Sequence, residues 1–388
     1  MLSAFQIIIP ALLAFIGTLW IHPKALKISI DKGLVDNPDA RKLQRRPVPV
    51  MGGIAVFFGI LIGACSSQAI FSSPRAFMLI AAMLIMLYTG TIDDILGLSP
   101  TTRFAIEILV VCWLMYVNNA SLNCFWGLWG LWNIPAWIAY PLTIFSCVGI
   151  INAINLIDGV NGLSSGFCFM ASVLFAIMFY YSGNNTMMII AISAAGAIIP
   201  FFLHNVIGDK TKMFIGDGGT LVIGTMMSMF VISIIEQDSS NMMFALKGMG
   251  LVAFTVAVLT IPIFDTIRVM STRMLRGFSP FRPDKTHLHH IFIEAGFSHF
   301  GTTASILSLN AIIILAWFIS YKAGASADMQ LYIVMSLGIL FTFGLYYYFS
   351  ILIKKGGKGL QTIQRIGKFF HFERKGIWIT LQNLIDKM

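Results

Sequence analysis

Runs of about twenty apolar residues return along the whole chain, and they leave few folds open. Each is long enough to cross the ~30 Å hydrocarbon core of a bilayer as a helix. Eleven are read, at roughly 2–21, 51–70, 76–92, 104–118, 135–151, 163–181, 186–204, 219–235, 248–268, 303–320 and 329–353. Only 11% of the 388 residues are charged, against about 25% in a soluble protein of this size. The expected fold is an all-α polytopic membrane protein of about 11 transmembrane helices. Residues 1–353 would form one integral-membrane catalytic domain and 354–388 a basic cytoplasmic tail able to lie on the inner leaflet. The first run lacks a basic leader and a small-residue cleavage site, so it is expected to stay as a helix. Four of the five cysteines fall inside apolar runs, which is neither a disulfide framework nor a metal set.

Charge orients the bundle. Lys and Arg number seven in 22–49, one at Arg103, two in 205–218, five in 268–301 and eight in 354–388. With eleven spans these segments share one face, leaving only Arg75, Lys247 and Lys322 for the other. The positive-inside rule makes the rich face cytoplasmic, with the N-terminus outside and the C-terminus cytoplasmic. The net charge of +9 then reflects orientation and contact with membrane lipid, and no nucleic acid is needed to explain it.

The acids break the apolar pattern on that same face. Asp93 and Asp94 end the third run, Asp158 lies between the fifth and sixth, Asp217 sits in FIGDGGT before the eighth, and Asp265 is near the inner end of the ninth. A single aspartate at a helix end is usually a solvated cap, and Asp265 with Arg268 three residues on suits a structural ion pair. Adjacent Asp93 and Asp94 are harder to dismiss, because like charges side by side repel unless a cation joins them. The glycines around Asp217 open the backbone to a ligand, and its carboxylate suits a hard cation. In INAINLIDGVNGLSSG, Asn152, Asn155, Asp158 and Asn161 recur every three residues and would share one helical face. The segment RVMSTRMLRGFSPFRPDKTHLHH supplies the opposite polarity through His287, His289 and His290 with Arg273, Arg276, Arg282 and Lys285. A zinc site, a solvated histidine cluster and a set of donors to phosphate oxygens are all open; many carboxylates facing many cations suit a metal-bound pyrophosphate. A transporter also buries acids in a helical bundle, but near the midplane and on broken helices. No internal repeat of that kind is evident.

Five segments together resemble the polyprenyl-phosphate N-acetylhexosamine-1-phosphate transferases, or glycosyltransferase family 4: GLVDNPDARKLQRRPVPVMGG, TIDD, NAINLIDGVNGL, KMFIGDGGT and SPFRPDKTHLHH. HLHH fits the N-acetylglucosamine branch, which starts O-antigen, common-antigen and related lipopolysaccharide synthesis. The resemblance implies an enzyme of the bacterial inner membrane with its active site on the cytoplasmic face. It would pass N-acetylglucosamine-1-phosphate from a UDP-sugar to undecaprenyl phosphate, with Mg²⁺ (or Mn²⁺) required and UMP released. UDP-glucose or UDP-N-acetylgalactosamine are alternative donors, and a homodimer is possible. The resemblance further implies catalytic roles for Asp93, Asp94, Asp158 and Asp217, with Asp217, Asp93 and Asp94 as metal ligands. Phe214, Asn205, Asn155 and Asp158 would meet the nucleotide. His287, His289 and His290 would hold the pyrophosphate with Arg273, Arg276 and Arg282 as helpers, and Arg45 and Arg46 would meet the lipid phosphate. The chain departs from the family at Asn161, where many relatives carry a second aspartate.

Overall fold

In the computed structural model the described residues are 4–38, 44, 46–236, 247–282, 284–369 and 376–387. They form helices α1 (Ala4–Asp31), α2 (Gly52–Ala64), α3 (Gln68–Phe71), α4 (Pro74–Leu96), α5 (Pro100–Asn118), α6 (Ala136–Leu156), α7 (Leu163–Ser182), α8 (Asn185–Val206), α9 (Gly216–Ile235), α10 (Leu251–Leu275), α11 (Leu288–Glu294), α12 (His299–Lys322), α13 (Ala327–Lys355), α14 (Gly357–Phe369) and α15 (Ile377–Ile385). The starts are written in the sequence. Ser73-Pro74 and Ser99-Pro100 open α4 and α5, each serine accepting from the amide three residues on. Ser298 and Ser326 do the same for α12 and α13.

Ten of these helices, of 19 to 29 residues, are long and apolar enough to cross a membrane. The run read at 51–70 forms a shorter helix than its apolar length suggests. There α2 has only 13 residues, followed by a turn at 65–67 and the one-turn α3. Thr186 Oγ1, at the start of α8, donates to Ala69 O at 3.3 Å. The second run therefore still traverses the bundle, in two pieces. Its glycines let the short helix pack closely. A Cβ on Gly53 would lie 2.2 Å from the amide nitrogen of Gly219, so α2 and α9 touch backbone to backbone, as small residues allow between membrane helices.

Helix α9 is the axis. Every residue from Gly218 to Ile235 is buried, and α4, α6 and α2 wrap it. Outer helices such as α1, α12 and α13 present exposed Trp20, Leu315, Phe318 and Tyr348, the surface expected toward lipid. At one end of the bundle Arg75 pairs with Glu236 at 2.7 Å, and Asp328 accepts from the Trp129 amide at 2.7 Å. The polar site lies at the other end.

There the loop after α1 makes a small antiparallel pair, β1 (Val35–Asp36) with β2 (Val48–Pro49). The segment before α9 adds to it, with Phe214 N donating to Pro49 O at 2.8 Å and Gly52 N to Phe214 O at 3.0 Å. This feature, absent from the expectation, is why a proline-rich basic loop and the glycine-rich FIGDGGT segment meet.

Candidate active site

The site grows from the first turn of α9. The N-terminal amides of that helix need acceptors, and Ile215 at the cap offers no side-chain oxygen. Asp94 supplies one from α4: Oδ1 accepts from Asp217 N at 3.0 Å and Oδ2 from Gly218 N at 3.2 Å. Both of its oxygens are thus engaged by backbone, at a helix end where negative charge is stabilised. Gly90, one turn earlier on α4, permits the approach, since a Cβ there would lie 2.4 Å from Gly218 N.

Asp217 is the hub. Asn155 Nδ2 donates to its Oδ1 at 2.6 Å and to Thr220 Oγ1 at 2.9 Å. Arg103 Nη1 lies 3.5 Å from its Oδ2 and 3.2 Å from Asp93 Oδ2. Asp93 Oδ1 accepts from Leu98 N at 2.7 Å, closing the turn after α4. Arg103 Nε also faces Glu107 Oε1 at 3.6 Å, and the fully buried Glu107 accepts from Asn152 Nδ2. One arginine therefore balances three carboxylates. From the sequence Arg103 reads only as a topological charge, and Glu107 carries no assigned role. The signal was present: an Arg and a Glu four apart inside an apolar run, where ionisable groups are expensive and usually functional.

The asparagine ladder divides. Asn152 braces Glu107 and Asn155 braces Asp217, but the helix ends at Leu156. Asp158 and Asn161 lie on a loop, so all four do not share a helical face. Asp158, exposed at the mouth, accepts from Ser164 Oγ at 2.5 Å. Asn161 is bound through its backbone, its carbonyl accepting from Thr303 Oγ1 at 2.7 Å. Asn205 is buried and joins two loops, accepting from Gly162 N at 2.6 Å and donating to Met213 O at 2.8 Å. It ties the Asp158 loop to the extended segment carrying half-buried Phe214.

The histidine segment closes the site. Asp265 binds Arg268 at 2.6 Å, the ring of His287 at 3.0 Å and the Leu288 amide at 3.1 Å. It so fixes α11, while the Arg268 guanidinium stacks on Tyr346 at 3.7 Å. The three rings are packed together, His289 and His290 with centroids 4.2 Å apart. His289 reaches the Asp158 loop: a Cβ on Gly159 would overlap its Nε2 at 1.9 Å. His289 Nε2 and His290 Nδ1 are buried and make no hydrogen bond among the described residues. Burial and the neighbouring rings hold His289 well below the usual imidazole range and His290 at about 4. Both are therefore neutral near pH 7.

The arginines separate by geometry. Arg273 is buried and fully engaged, gripping Asp284 at 3.0 and 2.9 Å and donating to Pro280 O at 2.6 Å; it staples the loop. Burial would raise the Asp284 carboxyl, but Arg273 and Thr286 outweigh it and hold Asp284 well below the usual range. Arg282 is exposed and stacks on Phe278 at 4.0 Å, and Arg276 is exposed at the end of α10. Arg46 is exposed just before β2, and Arg45 lies outside the described residues. Among the described residues no three His, Cys, Asp or Glu side chains form a closed metal cage. Magnesium needs none, since it is usually held by one or two carboxylates together with substrate phosphates and waters. The hard oxygens of Asp217 and Asp93 fit that mode; Asp94, engaged on both sides, fits it less well.

The described residues of all five segments thus meet at one end of the bundle, not at its midplane. Residues 76–235, which carry Asp93, Asp94, Asp158 and Asp217, match the family model of glycosyl transferase family 4, so the resemblance read from the motifs is borne out there. The chain is similar, at 28% identity over 338 residues, to the "Probable undecaprenyl-phosphate N-acetylglucosaminyl 1-phosphate transferase" of Bacillus subtilis, covering 86% of this chain and 89% of the relative. It is similar, at 28% over 362 residues, to the "Undecaprenyl-phosphate alpha-N-acetylglucosaminyl 1-phosphate transferase" of Escherichia coli O157:H7, covering 91% and 92%. A Yersinia pestis protein of the latter name shares 28% over 277 residues, 71% and 73% of the two chains.

Proposed function

We propose that the chain transfers N-acetylglucosamine-1-phosphate from a UDP-sugar to undecaprenyl phosphate. One observation carries this: Arg103 and Asn155 gather at Asp217 beside Asp93, at the same end of the bundle as the Asp158 loop that His289 meets, in a chain similar to such transferases over most of its length. An oxygen of the lipid phosphate attacks the sugar-linked phosphorus, the bond between the two phosphates of the donor breaks, and UMP leaves. A phosphate monoester is largely a dianion at neutral pH, with a second pKa of about 6, so no strong base is required. Asp93 and Asp217 are the residues that would hold a Mg²⁺ or Mn²⁺ ion, which when bound screens the two anions and stabilises charge on the transferred group. Arg103 keeps these carboxylates together. Neutral His289 and His290 offer N–H donors to the donor's phosphates. Phe214 and the Asp158 loop are assigned to the nucleotide, and Arg46 to the lipid phosphate.

The basic segments support a reading in which this end of the bundle faces the cytoplasm at a bacterial inner membrane, with the N-terminus outside. The purified protein, given undecaprenyl phosphate and UDP-N-acetylglucosamine, UDP-N-acetylgalactosamine or UDP-glucose with and without Mg²⁺, tests all of this. UMP and the polyprenyl-pyrophosphoryl sugar should form together, with Mg²⁺ and chiefly from UDP-N-acetylglucosamine. Absence of both products under every condition would refute the proposal.

A further inference from the structure

We infer that Asp386, at the far C-terminal end, is a positioning residue for the transfer reaction. It stands just past α15. Its Oδ1 accepts from Asp209 N at 3.1 Å, Thr211 N at 3.2 Å and Thr211 Oγ1 at 2.9 Å. Three donors converging on one carboxylate oxygen pin the short connection between α8 and the extended segment that carries Phe214 into Asp217 at the start of α9.

That connection runs Ile207-Gly208-Asp209-Lys210-Thr211-Lys212, polar and free of helix. Its inner side rests on two buried rings: His204 Nδ1 lies 2.9 Å from Thr211 Oγ1, His22 Nε2 lies 2.9 Å from Thr211 O, and the two imidazoles stack at 4.3 Å. Thr211 is thus held between a histidine pair below and Asp386 above. Two residues on, Met213 O receives Asn205, which also holds Gly162 in the Asp158 loop. The tail is seated independently as well, since Trp378 meets Phe300 edge-on at 5.5 Å at the start of α12, the helix that binds Asn161 O through Thr303. Asp386 therefore acts on both nucleotide-facing segments without touching either. The inference rests on the proposed function for what those segments bind. A displacement of about 1 Å at such a strut is enough to change a reaction's efficiency substantially.

The test uses the full chain in lipid nanodiscs, as wild type, Asp386→Ala and Asp386→Asn. Asn keeps an acceptor oxygen for the two amides and the hydroxyl. The alanine variant should raise KM for UDP-N-acetylglucosamine about fivefold or more. KM for undecaprenyl phosphate, kcat and the melting temperature should stay near wild type. The asparagine variant should return most of the donor KM. A donor KM unchanged in Asp386→Ala overturns the assignment, and so does a loss of melting temperature and of both KM values that asparagine fails to rescue. Should the alanine variant not fold, Thr211→Val, which removes one of the three donors, should raise the donor KM by a smaller factor; no change there overturns the assignment too. If the wild type releases no UMP from any donor, it is the proposed function that fails. Hydrogen exchange then decides the clamp on its own: exchange at the Asp209 and Thr211 amides should quicken in Asp386→Ala, and equal rates overturn it.

Discussion

Asp217 and Asn161 sit in similar glycine-flanked sequences, yet their surroundings give them different weight. Asp217 is held by Asn155, shares Arg103 with Asp93, and keeps an exposed edge of 32% toward the mouth. Asn161 is anchored by its carbonyl and amide, and its side chain is not what docks the loop. Asp217→Asn should therefore abolish UMP release, while Asn161→Asp should retain measurable turnover; wild-type rates in the first variant would remove Asp217 from the centre. Glu107 gives a second contrast. Its carboxylate is fully buried beside Arg103 and Asn152, so Glu107→Gln, which keeps an acceptor, should turn over at close to the wild-type rate. Glu107→Leu leaves Arg103 short of a partner and should cost about 1–3 kcal/mol of stability, read as a lowered melting temperature. The motif aspartates were legible because charge in an apolar chain is conspicuous. The role of Asp94 was not, because a cap supplied from another helix leaves no trace in the local sequence. Arg273 was obscured likewise, its partner Asp284 lying 11 residues away across a loop.

The elements that carry the site are short and depend on one another. Helix α11 is seven residues long, too short to stand alone, and is held by Asp265 through His287 and the Leu288 amide. Its histidines are neutral because they are buried, and this has a consequence for pH. The folded pKa of His290, about 4, lies below its unfolded value near 6.5. The unfolded chain then binds more protons between those values, so stability conferred by the neutral ring is present above about pH 6.5 and is lost as pH falls toward about 4. His290→Asn should flatten the fall in melting temperature across that window in the ligand-free protein. An unchanged slope would show that the ring titrates as if exposed. Helix positions followed from apolar runs, but α2 was misjudged in length, because a run of 20 apolar residues does not reveal a break at Cys65-Ser66-Ser67. The β1–β2 pair was invisible for another reason: the segment that bonds to its edge is 165 residues further along at Phe214, and two-residue strands have no periodicity to detect.

At the scale of the whole molecule, sidedness decides whether chemistry or transport is possible. The polar residues at 93–94, 158, 217 and 287–290 share one end with the basic segments, while Arg75–Glu236 and Trp129–Asp328 mark the other. An enzyme joining a membrane lipid to a nucleotide sugar needs one such mouth, open to water and flanked by lipid; a carrier needs access from both ends. Single cysteines distinguish the two in a background with Cys65 and Cys112 replaced. Lys285→Cys lies exposed beside the histidines and Ala323→Cys lies exposed past the far end of α12. In sealed spheroplasts a membrane-impermeant maleimide should label position 323 and reach position 285 only after the membrane is opened, as the charge distribution requires. Prior addition of UDP-N-acetylglucosamine with Mg²⁺ should slow labelling at 285 in opened membranes and leave 323 unaffected. Labelling of both positions from outside would place the histidine segment in a pathway open to both faces, and a single cytoplasmic pocket could not then exist.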